Sequence, residues 1–143
     1  MKKLSQLVAI ALIALNCSIA FADTKQNVMG LGFREKTTPL TLSSGEIVEL
    51  EGMAKIYATG TEAWVLILNY RTDTLDRETL RKRAELIWPQ FKPLVEKMQL
   101  KYAGIHAKKY PIEKPTKDTR FEGYNMMIQL TSDGTWRLLE SKN

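Results

Sequence analysis

One imidazole, His106, is available, so any general-base or triad mechanism near neutral pH would have to run through it. Ser44 or Ser132 with Asp118 or Asp133 could complete such a triad. None of them stands in a G-x-S-x-G setting, the strand-to-helix turn that exposes a nucleophile. His106 falls among Ala103, Ile105 and Ala107 in an alternating stretch, which predicts a partly exposed strand histidine. Paired carboxylates could hydrolyse glycosides without histidine, and Glu46, Glu49 and Glu51 are close in sequence. Alternation places Glu49 and Glu51 on one face and Glu46 on the other, the expected polar trim of an edge strand.

Metal and cofactor chemistry find little support. A zinc site draws several ligands from Cys and His, and the chain has one of each, Cys17 and His106. Methionine sulfur suits copper, but Met126 and Met127 are strand neighbours pointing to opposite faces, so these residues, with Met53 and Met98, are expected to pack the core. Gly30-Leu31-Gly32 lacks the further glycine and lysine of a phosphate-cradling loop. No metal and no cofactor is expected.

Two basic groups remain. Arg81, Lys82 and Arg83 lie near Glu78 and Glu85 at helical steps of three or four, an ordinary solvated helix face. Lys108, Lys109, Tyr110, Lys114, Lys117 and Arg120 are different, because only Glu113 and Asp118 offset their cations and Tyr110 adds a ring expected to be exposed. This group is the candidate binding surface.

The N-terminus sets the compartment in which such a surface would act. Lys2 and Lys3, an apolar run over residues 7–15 and the tripeptide Ala20-Phe21-Ala22 follow the order of a cleavable secretory signal, with cleavage expected before Asp23. The apolar run is shorter than the roughly 20 residues needed to cross a bilayer. Removing residues 1–22 would take away the sole cysteine, and with it any disulfide or thiolate, and would lower the formal net charge from +5 to +3. That excess is too small to mark a nucleic-acid binder. The expected location is the periplasm, or the medium beyond it, with no transmembrane segment in the mature chain.

The elements that must position these side chains are legible by period. Residues 23–38 are polar and read as a flexible lead-in, and residues 39–143 as a single domain. Short strands are expected around Thr41-Leu42 and over residues 46–50, broken by Gly52, then over residues 53–58 and 62–71. In the last of these Trp64, Leu66, Leu68 and Tyr70 share one face and Ala63, Val65 and Ile67 the other, the mark of a central strand. Leu80, Ala84, Ile87, Trp88, Phe91, Leu94, Val95 and Met98 form one helical stripe, with Asp76 as N-cap. Pro89 and Pro93 predict a kink or two shorter helices. Strands are expected again over residues 102–109 and 124–130 and, after an Asp133-Gly134 turn, over 135–139.

The expected architecture is therefore α+β: an antiparallel sheet of five to seven strands, in the order β-β-β-β-α-β-β-β, with one long proline-kinked helix on one face. The expected function is that of an exported, non-enzymatic binding or accessory protein of the bacterial envelope. It would act through an envelope protein or an anionic envelope surface, not nucleic acid. A periplasmic inhibitor or immunity protein is the narrower alternative. A hydrolase of cell-wall or other small substrates, using acidic residues or His106, is the alternative from another class. A homodimer is expected if the face carrying Trp64 to Tyr70 is left uncovered.

Overall fold

A computed structural model describes residues 33–59 and 61–139. The expected signal and cleavage residues, and the first part of the lead-in, lie outside the described residues. Six strands, β1 (Thr38–Thr41), β2 (Ile47–Ala58), β3 (Ala63–Arg71), β4 (Tyr102–Lys109), β5 (Glu122–Leu130) and β6 (Trp136–Leu139), form one sheet in sequence order. The helix α1 (Arg77–Lys97) stands between β3 and β4 and packs on one face.

The α+β class, the strand number and the single helix on one face match the sequence reading. Two details differ. The sheet is mixed, because β3 and β4 run parallel while every other neighbouring pair is antiparallel. The cause is the helix: its 21 residues span about 30 Å, the length of the nine-residue β3, and return the chain to the end of the sheet where β3 began.

The second difference is that three strands, not four, precede the helix. The expected breaker Gly52 lies inside a continuous β2, where the register with β3 shifts between Leu50 and Gly52. One extra residue is thus absorbed as a bulge, and Gly52 takes φ 136°, a conformation that favours glycine. Leu50 and Met53 pair with Tyr70 and Leu68 and are all buried in the helix-side core. Strict alternation would have set Leu50 and Met53 on opposite faces. The bulge lets both reach the core and leaves Glu51 directed to the other side of the sheet.

Asp76 caps α1 as expected, its carboxylate accepting from the Thr79 backbone N–H at 3.0 Å and hydroxyl at 2.7 Å. The stripe Leu80, Ala84, Ile87, Phe91, Leu94 and Val95 is buried. Pro89 and Pro93 lie within one continuous helix, and both are exposed. The carbonyls that lose an N–H partner to the two rings therefore lie toward water, and the apolar stripe stays in phase across them. Gln90 donates to the Thr41 carbonyl at 3.0 Å, and the Trp136 indole donates to Glu96 at 3.2 Å while its ring meets Trp88 at 5.1 Å, tying the helix to both edges of the sheet.

The helix also covers Leu66, Leu68 and Tyr70, the residues whose exposure would have favoured a homodimer. On that face Trp64 remains 43% exposed beside Tyr57, near the β2–β3 turn. Among the described residues no helix is long and apolar enough to cross a membrane.

Candidate functional site

The sheet face away from the helix carries polar residues at its centre. The parallel register sets Asn69 opposite His106 and Arg71 opposite Lys108, and β5 adds Asn125 opposite His106. Since residues two apart on a strand share a face, Asn69 and Arg71 line up with His106 and Lys108. The bulge brings Glu51 to the same place from β2.

Glu51 is the hub. Its Oε1 accepts from Arg71 Nε at 2.9 Å, and its Oε2 accepts from Lys108 Nζ and from the Tyr110 hydroxyl, each at 2.9 Å. The side chains of Glu51 and Lys108 are sealed from solvent, while that of Arg71 is 31% exposed. Aromatic rings complete the enclosure. Lys108 Nζ lies 4.3 Å from the centroid of Phe121, and the Arg71 guanidinium lies 4.8 Å from that of Phe33, whose edge meets Tyr110. A terminal nitrogen of Arg71 also donates to the Arg34 carbonyl.

Burial pushes the Lys108 ammonium below its ordinary value, and the Glu51 charge opposes that shift. Burial, then the hydrogen bond and charge of Glu51, push the Tyr110 phenol well above the usual range. Both follow from moving charge out of water and answering it with one carboxylate.

His106 is buried rather than partly exposed, a correction to the sequence reading. Its Nδ1 lies 3.0 Å from Asn69 Oδ1, an acceptor, so Nδ1 is the donor there. Its Nε2 edge faces Gly123 so closely that a Cβ at that position would overlap the ring, and Phe121 packs edge-on at 5.8 Å. The ring is therefore held from several sides.

The partners expected for a triad are not gathered around it. Ser132 and Asp133 lie in the turn beyond β5, past the residue that pairs with Tyr102, where Asp133 is occupied by Thr131 and Thr135. Ser44 lies in the β1–β2 turn and accepts from the Glu46 backbone N–H. Asp118 lies in the exposed loop between β4 and β5.

The acids also separate by role. Glu49 and Glu51 share a face as expected, but Glu49 pairs with Pro39 of β1 and Glu51 is buried, so the two are not the polar trim of an edge strand. Glu49 is exposed and accepts from Thr37 at 2.7 Å, and Glu46 pairs with Arg83 at 2.5 Å. Arg81 and Lys82 pair with Glu85 and Glu78 on the exposed helix surface, as expected of a solvated face. Met126 is buried in the helix-side core, and Met127 lies on the opposite face. Among the described residues no three His, Cys, Asp or Glu side chains are grouped to hold a metal.

The predicted basic group divides into two. Lys108 is a buried strand residue paired with Glu51, and Tyr110 is half-buried on the same carboxylate rather than presented to solvent. Lys114, Lys117 and Arg120 are exposed on the loop of residues 110–121, with Lys109 half-exposed at its root. Tyr110 pins one end of that loop, and Phe121, packed on His106 and Tyr110, pins the other. Near its tip Thr116 and Thr119 close a turn through two hydrogen bonds.

Between this loop and the described end of the lead-in lies an open cleft of about 520 Å³, lined by Phe33, Glu35, Arg71, Glu113, Lys114 and Lys117 among others. Arg71 and Phe33 were not singled out from sequence. The available signal was an arginine closing an otherwise apolar strand. No family model, curated protein or solved structure matches this chain.

Proposed function

We propose that the protein is an exported, non-enzymatic binding protein of the bacterial envelope that engages an anionic partner through the loop between β4 and β5. The observation that carries this reading is the anchoring of the loop at both ends, Tyr110 on Glu51 and Phe121 on His106 and Tyr110. It lets Lys109, Lys114, Lys117 and Arg120 present their charge from a fixed base. Ordering such side chains on an already anchored loop lowers the entropic cost of association. Export is supported by the order of charged, apolar and small residues over residues 1–22.

The hydrolase reading draws less support. A general acid or base has to reach a substrate, and Glu51 accepts from three donors with its side chain sealed from solvent. His106 is committed to Asn69 and closed against Gly123.

Affinity capture from an envelope extract tests the proposal. The wild-type protein is expected to retain a partner that Lys114→Glu/Lys117→Glu/Arg120→Glu loses at unchanged fold, with capture weakening as salt rises. Equal capture by the triple variant would overturn the reading.

A further inference from the structure

We infer that the cleft at the carboxyl ends of β3 and β4 is a site for a phosphate ester that also carries amino or hydroxyl groups, with Arg71 as its fixed donor and Lys114 and Lys117 as the closing charges. This rests on the binding reading above and names the ligand chemistry of the same loop.

The topology comes first. β3 and β4 are the parallel pair, joined through α1, so both present their carboxyl ends at one end of the sheet. Arg71 is the last residue of β3, and the loop carrying Lys114 and Lys117 leaves the end of β4.

The second argument is the state of Arg71. Its Nε is committed to Glu51 and a terminal nitrogen to the Arg34 carbonyl, and its plane rests against Phe33 at 4.8 Å. A guanidinium offers five N–H donors, so donors remain beyond those two bonds. The group is 31% exposed and lines the cleft. Its orientation is set before any ligand arrives, which is what planar recognition of an oxyanion requires.

The lining then selects the ligand. Arg71, Lys114 and Lys117 offer three cations to one cleft, which suits a phosphate carrying about −1.5 to −2 charge. Glu35 and Glu113 line the same space, and a bare anion would leave them facing it unsatisfied. An ester with an ammonium or hydroxyl group answers both signs. A volume of about 520 Å³ exceeds the needs of inorganic phosphate and falls among small-ligand sites.

Titration of the purified protein with phosphoethanolamine, inorganic phosphate, ethanolamine and acetate, followed by amide NMR shifts, tests the inference. Saturable shifts are expected around Phe33, Arg71 and residues 113–117. They should be tighter for phosphoethanolamine than for phosphate, negligible for ethanolamine and acetate, and weakened at least tenfold in Lys114→Glu/Lys117→Glu, whose altered side chains are exposed. Arg71→Lys keeps a cation but loses the fork, and is expected to weaken binding at least fivefold while its spectrum stays folded.

Flotation with vesicles of phosphatidylethanolamine separates the sources. Co-flotation lost in the double variant assigns the ester to a lipid headgroup, and its absence assigns a soluble ester. Non-saturable shifts, equal shifts in the double variant, or equal response to acetate would overturn the assignment. If the envelope partner is still captured in a loop-dependent manner while phosphoethanolamine does not bind, the ester is wrong and the binding reading stands. If neither binds, both fall.

Discussion

Glu51 and Lys108 lie 57 positions apart and meet at 2.9 Å with neither side chain touching solvent. Such a pair forms only when β2, β3 and β4 are assembled in register, because one residue comes from a bulge and the other from the far strand of the parallel pair. Removing Glu51 strands the Lys108 ammonium in the interior, whereas removing Lys108 leaves Glu51 its bonds to Arg71 and Tyr110.

The first prediction follows directly. Glu51→Gln alone is expected to lower unfolding stability by about 3–5 kcal/mol, the usual cost of breaking a buried pair from one side, and Lys108→Met by less, because Arg71 still answers the carboxylate. The double variant should recover part of the Glu51→Gln loss, because the buried ammonium is gone and the Arg71 left without its carboxylate is partly exposed. Urea denaturation of the four proteins as a cycle gives the coupling directly. Additive losses would show that the two side chains act independently.

A second prediction concerns Gly123 and His106. Adding a methyl group at Gly123 forces the His106 ring to move, since a Cβ there overlaps it. Gly123→Ala is expected to cost about 1–3 kcal/mol, the range for overpacking. It should also shift the His106 ring resonances by NMR. His106→Ala in the same chain should remove most of the penalty. A Gly123→Ala protein as stable as wild type would mean that the ring is not confined as described.

A third prediction is set by pH. Burial pushes the Tyr70 phenol from 10.0 up to about 12. A folded-state value above the unfolded one favours the protonated form in the fold. The resulting stability is complete below about pH 10 and is lost as the pH rises through about 12. Raised by burial in the same direction, Tyr110 adds to the alkaline loss. Tyr70→Phe should therefore flatten the decline of the unfolding free energy from urea melts between these pH values, by an amount on the order of 2–3 kcal/mol. A decline as steep as that of wild type would locate the alkaline transition elsewhere.

Much of the fold was legible because it rests on periodic burial. The helix stripe, the Asp76 cap and the strand over residues 102–109 follow from repeats of 3.6 and 2 that any buried face imposes. Strand direction leaves no such trace in an alternating pattern, so the parallel pairing of β3 with β4 was not read. From sequence Gly52 reads as a stop, although a glycine within a strand equally marks a bulge.

The candidate site was harder for a related reason. Counting charge along the sequence grouped Lys108 with its loop neighbours, whereas its strand face groups it with His106. Arg71, Lys108 and Tyr110 reach the Glu51 carboxylate, and Phe33 reaches Arg71, only once the sheet is assembled.

The edges of the sheet carry a different consequence. β1 and β6 are four residues each, and β1 contains Pro39, which has no N–H to offer a neighbour. Pairing to β1 covers only residues 47–50 of β2, and pairing to β6 only residues 127–130 of β5, so residues 51–58 and 122–126 form the rest of the two margins. Each flank is thus stepped, a four-residue strand beside a longer uncovered stretch, and an incoming strand meets no single straight margin across the full height of the sheet.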